Sequence, residues 1–148
     1  MISSLRKHIW KLNFYPPYIG AGIRLHSVND DFTCIVMKMK FKWWNKNLVG
    51  TQFGGSLYSM TDPFYMFILM EHLGKDFIVW DKAAHIKFVS PGKSEVFAKF
   101  EVDKTELANI KQTMQSNEKM DFHFKTTITD INDKIVALLE KTVYVRRK

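Results

Sequence analysis

The stretch from Gly54 to Leu73, GGSLYSMTDPFYMFILMEHL, is the most apolar in the chain and constrains its fold more than any other. A helix that is apolar all round has to be buried, in protein or in lipid. Its uninterrupted apolar part, Pro63 to Met70, is far shorter than the roughly 18 residues a membrane span requires. The expected surroundings are therefore protein. Gly54 and Gly55 open the segment from a polar loop at 44–53, and Gly74 closes it at the usual position past a helix end. One carboxylate, Asp62, interrupts it. Pro63 denies the Ser59 carbonyl its hydrogen bond, so a helix running through should bend there. The alternative is a break, with Asp62 capping a second helix that begins at Pro63.

The flanking segments have the period of strands. A strand is expected at about 21–28, followed by a turn at Asn29-Asp30-Asp31. From Phe32 to Trp43 the chain alternates, with Ile35, Met37, Met39 and Phe41 on one face and Val36, Lys38, Lys40 and Lys42 on the other. That is a half-exposed antiparallel strand, paired by a hairpin with the one before it. Phe77 to Val89, Glu95 to Asp103, Asp121 to Ile131 and Lys134 to Arg146 supply four more strand-like segments. The turns lie at Ser90-Pro91-Gly92-Lys93 and Asn132-Asp133. Thr105 to Asn117 reads as a short helix with Leu107, Ile110 and Met114 as its apolar stripe. Residues 3–12 can form an amphipathic helix, capped by Ser3 or Ser4 and ended by Pro16-Pro17, that packs on the sheet. At 148 residues the chain is most simply one domain over 1–148, with 1–19 as its N-terminal helix and Pro-Pro segment. Runs of strands about one apolar helix predict an α+β fold, an antiparallel sheet curled over that helix.

Charge narrows the partners. The net charge is +7 with an isoelectric point near 9.5, which suits an anion: nucleic acid, a membrane surface or a phosphorylated small molecule such as coenzyme A. The N-terminal amphipathic face is too small to favour a membrane surface. No groove-reading motif accompanies the charge, so neither nucleic acid nor membrane is the expected partner. Trp43-Trp44 beside lysines could stack on bases, but packing is the simpler use of such a pair. The single Cys34 permits no internal disulfide. With no secretory signal in the first residues, a cytoplasmic setting is expected.

The candidate chemistry lies at the helix start. Gly54 and Gly55 lack a Cβ, so a ligand can approach their backbone. The first N–H groups of a helix have no intrahelical acceptor and can hold a developing oxyanion. A tight turn without a ligand would use the same glycines. Asp62 follows Gly54 by eight residues, about 12 Å along a helix, too far to serve a carbonyl bound there. A second copy of the chain could bring its own Asp62 alongside. The spacing therefore points to a site shared between subunits.

Asn47, then Gly54-Gly55, then Asp62, with a later strand ending Ile86-Lys87-Phe88-Val89-Ser90-Pro91-Gly92, resembles the hotdog-fold acyl-CoA thioesterases of the phenylacetate-pathway type. The N-terminal Pro-Pro, the phrase GTQFGGSLYSMTDPFYMF and the strand VWDKAAHIKF look closer still to a bacterial family of hotdog thioesterases of largely unassigned substrate. The resemblance covers nearly the whole chain. It implies a curled antiparallel sheet around a long central helix, assembled as a homodimer with two sheets side by side or as a dimer of dimers. It implies hydrolysis of an acyl-CoA thioester, with coenzyme A as part of the substrate and no separate cofactor. The Gly54 N–H would polarise the thioester carbonyl, Asp62 of the partner subunit would act as base or nucleophile, and Asn47 would help position the water or the acid. Asp81 stands where relatives carry a Ser or Thr that orients the water. Two carboxylates near one water would raise the pKa of one of them. Phe53 stands where the family pattern has His. That apolar replacement favours the alternative of a noncatalytic acyl-CoA or acyl-chain binding protein. Phe53, Gly55, Ser59, Lys87 and Lys93 are the candidates for substrate contact, the lysines through the coenzyme A phosphates.

Other candidates are weaker. His85 with Asp62 could serve dehydratase chemistry, but a packed or solvated His85 is the simpler reading. His8, His26, His72, His85 and His123 lack metal-ligand spacing, so no metal is expected.

Overall fold

The computed structural model of the protein describes residues 5–148. Ser3 and Ser4, the expected helix caps, lie outside them. Helix α1 (Leu5–His8) passes into a 3-10 segment (Ile9–Phe14), and α2 (Pro16–Ala21) follows. Ile9 is buried, and Leu5 and Leu12 pack against the core. Pro16 and Pro17 do more than end the first helical stretch. They sit in the first turn of α2, where proline's missing N–H costs nothing.

The strands are β1 (Ile23–Val28), β2 (Cys34–Met39), β3 (Phe77–Phe88), β4 (Val96–Glu101), β5 (Lys119–Asp130) and β6 (Ile135–Arg147). They form one six-stranded sheet in the order β1-β2-β4-β5-β6-β3, and every pair is antiparallel. The expected faces hold: Ile35, Met37 and Met39 of β2 and Val96, Ala98 and Phe100 of β4 are buried. Helix α5 (Lys104–Ser116) buries the expected Leu107, Ile110 and Met114, and Asp103 caps it by accepting the Glu106 N–H.

The central helix occupies the expected stretch and is overlain by the sheet, in two segments: α3 (Gly54–Ser59) and α4 (Phe64–Leu73). The cause of the division is Pro63, which has no N–H to give the Ser59 carbonyl. That carbonyl accepts from the Asp62 N–H at 3.3 Å instead, and the Tyr58 carbonyl accepts from the Thr61 N–H at 2.9 Å. The last turn therefore tightens and the chain changes direction before α4 begins. Asp62 is not the cap of α4; that position is Pro63, and it makes no side-chain bond. The Asp62 carboxylate is left to point elsewhere.

Helix α4 buries Phe64, Tyr65, Ile68 and Leu69. Their spacing covers a broad face, which meets the concave side of the sheet. The Tyr65 ring stacks on Phe124 with centroids 4.6 Å apart, and its hydroxyl donates to the Lys125 carbonyl at 2.9 Å. Phe64 lies 5.0 Å from Phe100. These contacts fix the height of the helix over β4 and β5, and so fix where the α3–α4 turn falls.

One glycine is required by geometry at the joint between α2 and β1. Gly22 has φ of +77°, and a Cβ there would come 2.7 Å from Nδ2 of the buried Asn45. That amide donates to the carbonyls of Ala21 and Lys40. Gly22→Ala should lower stability by about 2 kcal/mol through backbone strain and displacement of Asn45, read from the urea midpoint at unchanged slope.

Candidate active site

Strand β6 alternates Ala137, Leu139, Lys141, Val143 and Val145 on its buried face. The lysine in that series is the functional group that the sequence reading passed over. Its signal was a charged residue in an inward position of an otherwise apolar alternation. The Lys141 side chain is 1% exposed. Its Nζ lies 3.1 Å from Asp62 Oδ1 and 2.9 Å from Asp81 Oδ2. The ammonium also sits 5.4 Å from the centre of the Tyr58 ring.

Each member arrives for a local reason. Asp62 is on the turn that Pro63 forces between α3 and α4. Asp81 is inward on the edge strand β3, opposite Val143. A register shift follows it, between Asp81 and Ala83, so that Ala84 and not Ala83 lies opposite Lys141. The extra residue bends the edge beside the cluster. Tyr18 of α2 braces the turn by donating its hydroxyl to the Asp62 carbonyl. Burial and the nearby Asp62 push the Tyr18 hydroxyl well above the usual phenol range, so it remains a donor.

The electrostatics follow from one cation and two acids. Burial, then the neighbouring Asp62 carboxylate, raise the Asp81 carboxyl to about 6 against the opposing pull of Lys141. Burial works against the charged form of Lys141, but the two carboxylates outweigh it and hold the amine above its ordinary range. Asp81 therefore exchanges its proton near pH 6.

That shift is also a stability statement. Asp81 keeps its proton to about pH 6 in the folded protein, against an ordinary value of 3.8. The folded state binds more protons in that window, so the Asp81 contribution is most favourable at the acid end and is lost as pH rises through the folded value. Asp81→Asn has no such dependence. The stability of Asp81→Asn relative to the native protein should rise by about 2 kcal/mol between pH 4 and pH 7. Urea unfolding at both pH values checks this, and a pH-independent difference would contradict it.

The other expected site residues fall in different places. Asn47 spends its side chain on its own loop: Oδ1 accepts the N–H groups of Val49 and Thr51, and Nδ2 donates to Thr51 Oγ1 at 2.8 Å and to the Gln52 carbonyl. Gly54 and Asn47 line a cavity of about 390 Å³ with Leu57, Phe88, Val89 and Pro91. A Cβ at Gly54 would meet the Phe88 ring at 3.1 Å. Asp62 lines a second cavity of about 350 Å³ with Leu12, Tyr15, Tyr18, Tyr58 and Phe67. No lining residue is common to the two. Phe53 lies over Gly55, where a Cβ would fall 2.7 Å from its ring. Phe53, Gly55 and Ser59 border a third recess beside Pro17 and Trp44. The Ser59 hydroxyl donates back to the Gly55 carbonyl at 2.9 Å. Lys87 and Lys93 are exposed, as is His85.

Residues 8–145 match the family model DUF4442, described as a domain of unknown function. The chain belongs to the DUF4442 family. No curated protein sequence matches it. Among solved structures, this DUF4442 domain is similar to a Pseudomonas aeruginosa protein of unknown function called a "probable thioesterase", at 15% identity and a TM-score of 0.81, covering 100% of this chain and 97% of that one. It is similar to a thioesterase from Haemophilus influenzae at 12% identity and TM-score 0.69, covering 95% and 90%. It is also similar to the PaaI protein of the phenylacetic acid degradation operon of Escherichia coli, at 18% identity and TM-score 0.64, covering 98% and 95%. The DUF4442 chain thus has the hotdog fold that its sequence resembles.

Proposed function

We propose that this DUF4442 protein is an acyl-CoA thioesterase that acts as a dimer. The observation that carries the reading is the pairing of Asp62 with a buried cation at the α3–α4 turn, beside a cavity, on a fold shared with proteins named as thioesterases. In the proposed reaction water attacks the thioester carbonyl, Asp62 takes the proton, and the Gly54 N–H stabilises the oxyanion. Asp81 is the second acid of the site.

Two features support the dimer. Within one chain Gly54 and Asp62 line separate cavities, so a substrate that uses both needs a second copy. Strand β3, 12 residues long, is an edge of the sheet and exposes Trp80 and Phe88. An unprotected edge of that length is a template for another strand. Pairing β3 with its copy sets the two sheets side by side and brings two Asp81-bearing strands together. No helix among the described residues is long and apolar enough to cross a membrane, and a cytoplasmic place for the reaction is part of the proposal.

Specific observations favour the second reading, a noncatalytic acyl-CoA binding protein. Asn47 is fully engaged by its loop, and Phe53 offers no polar group. Release of free coenzyme A from a panel of short, medium, long and aromatic acyl-CoAs separates the two. The first reading expects turnover with at least one of them. Tight binding of a panel member with no turnover of any would replace it by the second.

A further inference from the structure

Lys141 occupies a place in β6 where the alternation of the strand calls for an apolar side chain. Burying an ammonium group costs several kcal/mol unless its surroundings compensate. One carboxylate would neutralise it, and two are present, at 3.1 and 2.9 Å. With both ionised the cluster has one negative charge in excess. Asp81 Oδ1 is also cut off from solvent and meets no hydrogen-bond donor. A proton held between Asp81 and Asp62 removes both difficulties. It cancels the excess charge, and it makes Asp81 a donor toward its neighbour.

We infer that Asp62, Asp81 and Lys141 act as one proton-sharing unit, in which Lys141 is a positioning residue that holds Oδ1 of Asp62 and leaves Oδ2 to take the proton from water. The inference rests on the thioesterase reading for its chemistry. In the reaction the water oxygen bonds to the thioester carbon, the carbon–sulfur bond breaks, and the proton accepted by Asp62 leaves on the thiol. No electron donor or acceptor is involved. The proton between the carboxylates stays with the unit and helps Lys141 keep Asp62 in its accepting form. The groups that face the unit are few. Tyr58 from α3 lies against the ammonium, Tyr18 from α2 donates to the Asp62 carbonyl, and Tyr15 packs on Tyr18.

Carbon-13 labelling of the aspartate carboxyls in the full chain tests this without reference to turnover. In a coupled pair both signals follow the same macroscopic steps. The Asp81 signal should therefore move through a step near pH 6 that also perturbs the Asp62 signal, and Asp81→Asn should erase that step from the Asp62 signal. Lys141→Met should shift the step upward by at least one pH unit, and the alkaline limb of kcat/KM with it. Independent titration of the two carboxyls, or an Asp62 signal unchanged by Asp81→Asn, would overturn the inference even in an active enzyme. Coupled titration in a protein that hydrolyses no acyl-CoA would instead overturn the thioesterase reading and with it the catalytic part of the inference. The Asp81→Asn arm decides the question if Lys141→Met does not fold.

Discussion

Lys141→Met should lower the unfolding free energy by about 3–5 kcal/mol at pH 8, more than any other single change at the site. Methionine fills a similar volume, so the loss is electrostatic and not a cavity effect. The substitution leaves Asp62 and Asp81 facing one another without the cation between them. Asp81, whose side chain is 15% exposed, carries most of the penalty. The Asp62 side chain is 47% exposed, and water screens its share. The direction with pH follows from the same pair. Removing the cation raises the Asp81 carboxyl further above its value of about 6, so the variant holds a proton that the unfolded chain gives up. Its deficit is smallest below about pH 4, where both states are protonated, and grows as pH rises. Urea unfolding at pH 4.5 and pH 8 measures it. Adding Asp81→Asn should recover part of the loss, because the two positions are coupled. A deficit under 1 kcal/mol at pH 8, or an additive double variant, would show that the ion pairs contribute little.

The second large effect is kinetic. Asp62→Asn should reduce kcat/KM for the best acyl-CoA by about 10²–10⁴, the range that a positioned general base supplies. Stability should change by less than about 1 kcal/mol, since the side chain is half exposed and the Tyr18 bond goes to its backbone. Acyl-CoA affinity should be kept, because the amide has the same shape as the carboxylate. Thiol release under saturating substrate, with circular dichroism on the same sample, gives both readings. Equal turnover by the variant would remove Asp62 from the mechanism. Loss of turnover with loss of binding would make Asp62 a substrate-binding group rather than a base.

The fold was largely legible because each segment carries its own period. Alternation in 34–39 and 96–101 placed the inward residues of β2 and β4 correctly, and the Leu107, Ile110, Met114 stripe placed α5. Those patterns depend on local geometry that every residue shares. Pro16-Pro17 is both a stop and a start, since proline is compatible with the first turn of the next helix. The central apolar stretch announced burial without ambiguity. Whether it ran through Pro63 depended on what the freed Ser59 carbonyl would find, and that is decided by the turn as a whole.

The candidate site was half legible. Asp62 and Asp81 could be picked out as acids in unusual settings, but nothing local says that residues 62, 81 and 141 meet. The sequence by itself determined a single curled sheet over a buried helix, a glycine entry to that helix and an acid within it, because period, apolar run and residue type are local properties. Only the tertiary structure decided what that acid faces. Three elements distant in sequence converge on one buried ammonium, and long-range pairing of β3 with β6 sets the register that brings them there. A carboxylate's chemistry depends on the charges and solvent within a few ångströms of it. At Asp62 those neighbours come from strands that follow it by about 20 and 80 residues in the chain.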